Sequence, residues 1–190
     1  MVMNMSKIEI GSRVTPYPMP VTIVGTRIDN KVNFMTVAWI NRVNNDPPIW
    51  GAGINKRHYT IEGLMQTKTF SINFPSSDMI TKTDYCGLGS GNKIDKTKVF
   101  EVFYGKLGNA PMIKNAPLAI ECELYDMIEL PTNNLVLGKV IAAYTEDKYL
   151  TDEKLDLKKM NTVILTMPDN RYWTTGEYLA KAWDEGKKMM

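Results

Sequence analysis

The sequence predicts a mainly β fold, an antiparallel barrel with a few short helices. Three observations carry this expectation. Short runs rich in Val, Ile, Thr and aromatic residues recur between turn signals along the chain. One of them alternates apolar and polar residues in strict period two. Helical periodicity is confined to brief segments, too few and too short for a doubly wound sheet.

The elements follow in order. Pro20 to Ile28 is rich in Val, Thr and Ile, Asp29-Asn30 marks a turn, and Lys31 to Ile40 returns, which reads as a hairpin. Asn44-Asn45-Asp46-Pro47-Pro48 is a loop, since prolines and amides favour turns. Ile49 to Ile54 is a short strand in which Gly51 and Gly53 permit close approach of another group. Thr60 can cap a short helix with Ile61, Leu64 and Met65 on one face. Thr69 to Phe74 is a strand, Asp78 to about Tyr85 a second helix, and Gly87 to Gly91 a glycine-rich stretch. Leu118, Ile120, Cys122 and Leu124 alternate with Ala119, Glu121, Glu123 and Tyr125, the pattern of a strand with one buried face. Asn133-Asn134 turns the chain into a strand from Leu135 to Thr145. Asn161 to Thr166 is another strand, and residues 175–187 form a closing helix after a body that begins near residue 16.

No linker, repeat or low-complexity segment divides the 190 residues, so one domain is expected, with residues 1–15 as an N-terminal extension. Composition narrows the function. The chain is 44% hydrophobic and 23% charged, ordinary for a folded soluble protein. A net charge of +2 without charge runs gives no ground for a nucleic-acid or membrane partner. Two cysteines and one histidine are too few for an ordinary zinc site, so no metal is expected. The N-terminus lacks a secretory h-region, and no stretch approaches the roughly 18 apolar residues of a membrane span. A reducing, cytoplasmic setting is the default.

Nucleophilic hydrolysis is poorly supported, because His58 is the sole imidazole and no G-x-S-x-G elbow exists. Gly87-Leu88-Gly89-Ser90-Gly91 fits neither G-x-G-x-x-G nor the P-loop, and it follows a helix, not a strand. The informative residues lie between Asn33 and Thr60. Asn33 through Trp39 sets amide and hydroxyl groups beside a large aromatic ring. Asn55-Lys56-Arg57-His58-Tyr59-Thr60 places cations just ahead of a helix, where free N–H groups and the dipole favour a phosphate. Arg57 could bind such a phosphate in bidentate fashion. A plain structural role, with Thr60 as a cap and Arg57 solvated, fits the same residues.

These segments resemble the flavin reductase-like proteins of the flavoredoxin group. The resemblance runs collinearly from about Pro16 to Lys187. It includes Asn33-Phe34-Met35-Thr36-Val37-Ala38-Trp39, Asp46-Pro47-Pro48, Asn55 through Thr60, Phe70-Ser71-Ile72-Asn73-Phe74, Asp84-Tyr85-Cys86-Gly87, Ser90-Gly91 and Asp95-Lys96. It implies an antiparallel split β-barrel that binds FMN, as a homodimer with the flavin near the subunit interface. By the same resemblance, Asn33 and the run Thr36, Val37, Ala38, Trp39 line the flavin, and Met35 within that segment is a further candidate contact. Asn55, Arg57 and Thr60 meet its phosphate, and Ser90, Gly91 and Lys93 approach the cofactor from a later loop. His58, read from its position alone, is a candidate phosphate contact or a plain helix-start residue. The implied activity passes electrons from NAD(P)H or a redox protein through FMN to an acceptor. The alternative is an electron carrier that never meets a nicotinamide. Two departures stand out: Thr97 follows the Asp-Lys pair where relatives often have Phe, and no histidine occurs in the later half. No catalytic side chain is assigned, since the flavin would perform the redox chemistry.

Residue by residue, simpler roles compete. Trp39 also suits a barrel core or an interface, and Lys93 a solvated loop. Cys86 reads as a small packed apolar residue and the 13 methionines mostly as core.

Overall fold

The computed structural model describes residues 7–190. In chain order the strands are β1 (Met19–Pro20), β2 (Thr22–Ile28), β3 (Lys31–Val37), β4 (Ile40–Asn44), β5 (Ile49–Asn55), β6 (Thr69–Phe74), β7 (Val102–Phe103) and β8 (Met112–Ile113). They continue with β9 (Leu118–Glu129), β10 (Asn133–Tyr144), β11 (Leu150–Thr151), β12 (Lys154–Leu155), β13 (Val163–Thr166) and β14 (Arg171–Thr174). The α-helices are α1 (Thr60–Thr67), α2 (Ile80–Leu88) and α3 (Leu157–Met160).

A seven-stranded antiparallel sheet, ordered β3-β2-β6-β9-β10-β5-β4, is the body. Its two edge strands, β3 and β4, are consecutive in the chain and separated only by Ala38 and Trp39. The sheet must therefore roll until its edges meet, yet no ladder joins them. This is a mainly β, antiparallel split barrel with few and short helices, as the sequence predicts.

Both faces of β2 and β3 are covered, which explains their nearly continuous apolar runs. Val24 and Met35 point into the barrel with Ile54, Leu64, Phe70, Ile72 and Val136. Their neighbours Ile23 and Phe34 point outward into a second cluster with Met79, Cys86, Phe100 and Ile113. Phe34 and Phe100 meet edge to face at 5.4 Å. Gly63 lets α1 lie directly on β2, since a Cβ there would fall 2.8 Å from Thr26. That close seat fixes the start of α1 against β3.

The β2–β3 turn lies at Asp29-Asn30, both with positive φ, which amide and acid side chains tolerate. Several expectations change. The run Lys31 to Ile40 is two strands, because Ala38-Trp39 turns the chain from β3 into β4. The second helix starts as a 3₁₀ turn at Ser77–Met79 and continues to Leu88, past Tyr85. Strand β10 already includes Asn133, with the turn two residues earlier. The alternating strand extends to Glu129, and on its second face Ala119 and Glu121 are buried too, while Glu123 and Tyr125 stay exposed as expected. Glu121 is fully buried. Its carboxylate accepts from Lys106 N–H (2.8 Å), Leu107 N–H (2.9 Å) and the Tyr144 hydroxyl (2.7 Å). A carboxylate so satisfied can occupy a core position.

The closing helix over 175–187 does not form. Residues 175–181 carry no regular structure, and only a 3₁₀ turn at Glu185–Met189 follows. A short helix with no surface covering its apolar side lacks the packing that would hold it. Of the N-terminal extension, residues 1–6 lie outside the described residues, and 7–15 form no helix or strand.

Candidate functional site

The site is built where β3, the start of α1 and the end of α2 converge. Asn33 of β3 is buried and donates through Nδ2 to Thr60 Oγ1 at 3.1 Å. Thr60 therefore does not cap α1 with its side chain; it bonds sideways to β3, and the helix start has no side-chain cap. Asn55 instead holds the turn ahead of the helix, its Oδ1 accepting from Arg57 N–H at 3.0 Å. With Asn55 closing the turn, Arg57 stands exposed and makes no ion pair among the described residues. Beside it, His58 Nδ1 lies 2.6 Å from the Met35 sulfur.

From the other side, Thr36 donates to the Thr83 carbonyl of α2, tying that helix to β3. The chain then leaves α2 through Gly89 and Ser90, whose carbonyl accepts from Lys93 and Ile94 N–H. Gly91 comes down directly onto Asn33: a Cβ there would fall 2.0 Å from Asn33 Oδ1. That oxygen is buried and has no donor among the described residues. Two adjoining depressions result. One, of about 240 Å³, is lined by Met35, Thr36, Arg57, His58, Cys86 and Ser90, and the other, of about 390 Å³, by Asn33, Lys31, Asn92, Lys93 and Lys96. Tyr59 and Gly91 border both. Together they fall in the size class of small-molecule sites.

Lys96 lies beneath this cleft and is 3% exposed. Its ammonium donates to Phe34 O at 3.0 Å and Cys86 O at 2.8 Å, with no carboxylate partner among the described residues. Burial pulls its pKa down. Burial, then the Lys96 charge, also lowers His58, so its neutral form is favoured. Burial pushes the Cys86 thiol up to about 11, which leaves it an unreactive packed residue. The cleft is thus lined by Lys31, Arg57, Lys93 and Lys96 against one carboxylate, Asp95, and its net charge is positive.

The predicted site residues divide three ways. Asn33, Met35, Thr36, Arg57, His58, Ser90, Gly91 and Lys93 gather at the cleft. Val37 and Thr60 are buried behind it, and Asn55 shapes the turn. Ala38 and Trp39 lie instead in a separate groove of about 650 Å³ with Pro16, Ile40 and Leu135. The chain turns after Val37, and Trp39 O accepts from Gly53 N–H of β5 at 2.8 Å, which carries both residues to that groove. The sequence reading missed Tyr59, Lys96 and the Cys86–Gly89 end of α2. The Asp95-Lys96 pair was visible, but nothing local shows that a lysine will be buried.

The family model for the flavin reductase-like domain matches residues 13–166. The chain belongs to the flavin reductase-like family. Among solved structures, a flavoredoxin from Methanosarcina acetivorans is 51% identical, covering 97% of this chain and 100% of that one, with a TM-score of 0.95. A flavoredoxin of Desulfovibrio vulgaris (Miyazaki F) is 30% identical, covering 95% and 100%, with a TM-score of 0.87. An uncharacterized protein of Aeropyrum pernix is 27% identical over 70% of this chain, which spans only about half (52%) of that relative's length.

The residues of this flavin reductase-like protein suit a flavin mononucleotide. Arg57 and the uncapped start of α1 offer positive charge and N–H groups for a phosphate. The orphan Asn33 oxygen offers an acceptor, and Met35 with the glycine-rich Cys86–Gly91 segment offers a soft wall that a flat ring could approach closely. No potential metal cluster of His, Cys, Asp or Glu occurs among the described residues. No described helix is long and apolar enough to cross a membrane.

Proposed function

We propose that this chain is an FMN-dependent oxidoreductase, working as a homodimer, that passes electrons from NAD(P)H to an acceptor. The observation that carries the reading is the cleft itself: Lys31, Arg57, Lys93 and buried Lys96 line a small-molecule-sized space against a single acidic lining residue among the described residues, Asp95. Asp95 accepts from the Thr97 hydroxyl at 2.6 Å and the Thr97 N–H at 2.8 Å, which leaves four basic lining residues against one carboxylate.

In this reading Arg57 and the start of α1 hold the phosphate, and Asn33 and the Ser90–Gly91 loop orient the ligand. Met35 and Thr36 form the wall from β3. FMN bound there supplies hydride uptake and one- or two-electron release; the protein supplies position and field. The lone histidine, held neutral, fits a binding contact better than an acid–base role. Two buried free cysteines suit a reducing, cytoplasmic setting.

The spectrum of the purified protein before and after anaerobic addition of NADH or NADPH tests this. A yellow protein bleached by either is expected. A colourless protein that fails to take up added FMN overturns the reading. The second reading, a flavin-bearing electron carrier reduced by a protein partner, is favoured by the likeness to flavoredoxins and the scarcity of histidine. Bound FMN that neither nicotinamide reduces selects it.

A further inference from the structure

We propose that the C-terminal segment is an arm that clasps a second copy of this chain, with Tyr178, Leu179 and Trp183 seated in the partner's Trp39 groove. This deepens the homodimer reading by naming the surfaces that would make it.

Apart from Leu88, every large apolar side chain more than three-fifths exposed lies before Pro18 or after Glu177. Tyr178 is 76%, Leu179 94% and Trp183 95% exposed; Ile8 and Ile10 of the N-terminal segment, which continues into the wall of the Trp39 groove, are 81% and 76%. Exposed apolar residues scattered singly need no explanation, but their concentration in two segments marks a contact surface. The C-terminal arm touches the body through one described ion pair, Lys158 to Glu177 at 2.8 Å.

The arm's chemistry selects its partner. After Thr175 it carries three acids and three lysines, so its net charge is zero. Asp184 pairs with Lys187 and Glu185 with Lys188. A neutral apolar arm is not built for nucleic acid or an anionic surface.

The molecule's other open spaces do not match it. The 800 Å³ cavity is rimmed by Lys82, Glu101, Lys114 and Glu146, and the cofactor cleft is cationic. The Trp39 groove is apolar, lined by Val14, Pro16, Trp39, Ile40 and Leu135, with Arg13 its one charged lining residue. It also borders β4, an edge strand paired only to β5. Every copy presents both arm and groove, so a two-fold dimer satisfies both at once.

Cross-linking tests the crossing directly. Asn41→Cys in one chain and Trp183→Cys in another, mixed and treated with a short bismaleimide, should give a covalent heterodimer, because Cys86 and Cys122 are buried. Failure to form it overturns the proposal. So does a link closed within one chain when both substitutions share that chain. Light scattering on Leu179→Asp with Trp183→Asp gives an independent measure. Both positions are solvent-exposed, so the fold should persist by circular dichroism. Dimer affinity should fall at least about tenfold; an unchanged dimer, or a monomeric parent protein, overturns the proposal. All of this is read on apoprotein as well, so a clasped dimer that never binds FMN sinks the functional reading alone.

Discussion

Arg57 and Glu121 show how a single side chain takes its role from its surroundings. Arg57 is exposed, lines the cleft and makes no ion pair among the described residues, so its charge is available to a ligand. Arg57→Ala should weaken FMN binding by about 1.5–3 kcal/mol, the scale of a charged hydrogen bond, measured by fluorescence titration; unchanged affinity would remove the phosphate assignment. Glu121 has the opposite fate, since both of its oxygens are bonded in the core. Glu121→Gln turns a donor toward Lys106 or Leu107 N–H, and urea unfolding should show a loss of about 1–3 kcal/mol. His58 adds a pH dependence. Its folded pKa lies below the ordinary 6.5, so the unfolded chain binds the proton more readily. Stability is therefore full above about pH 6.5 and declines as pH falls through that value toward the folded pKa. Apoprotein unfolding midpoints from pH 7.5 to 5.5 (roughly one unit either side) should show the decline, and His58→Gln should flatten it.

At the scale of elements, the cleft depends on three segments being tied together. Asn33–Thr60 joins β3 to α1, Thr36–Thr83 joins β3 to α2, and Lys96 joins the later loop to both β3 and α2. Lys96→Met keeps the length but strands two buried carbonyls while removing an unpaired buried charge. The carbonyl cost should win, lowering stability by about 1–3 kcal/mol in denaturant titrations and loosening the 90–97 loop to proteolysis. A more stable variant with an unaltered cleavage pattern would show that the lysine's charge, not its bonds, dominates. The elements themselves were largely legible: period two marked the long strands, and Asp29-Asn30 marked its turn. Strand β4 was not, because its only buried residue is Ile40 and the rest are exposed and, apart from Val43, polar. The 175–187 helix was misread because an apolar pattern forms a helix only where something covers its face.

Across the whole molecule, charge is nearly balanced at +2, yet the cleft concentrates cations that are partly exposed. FMN affinity should therefore fall as ionic strength rises past about 0.1 M, where screening acts within roughly 10 Å. Salt-independent affinity would mean that the phosphate is held by buried groups instead. Hydrophobic periodicity and turn chemistry are local, so the chain alone determined a mainly β barrel, its hairpins and most cleft residues. Which of those residues meet is non-local. The two-residue link at Ala38-Trp39 parts Thr36 from Trp39, and the Gly91 approach sets a loop on Asn33 nearly sixty positions away. Burial of Lys96 and Glu121 needed the same assembly, because a charged side chain enters a core only when folding delivers its hydrogen-bond partners from distant segments.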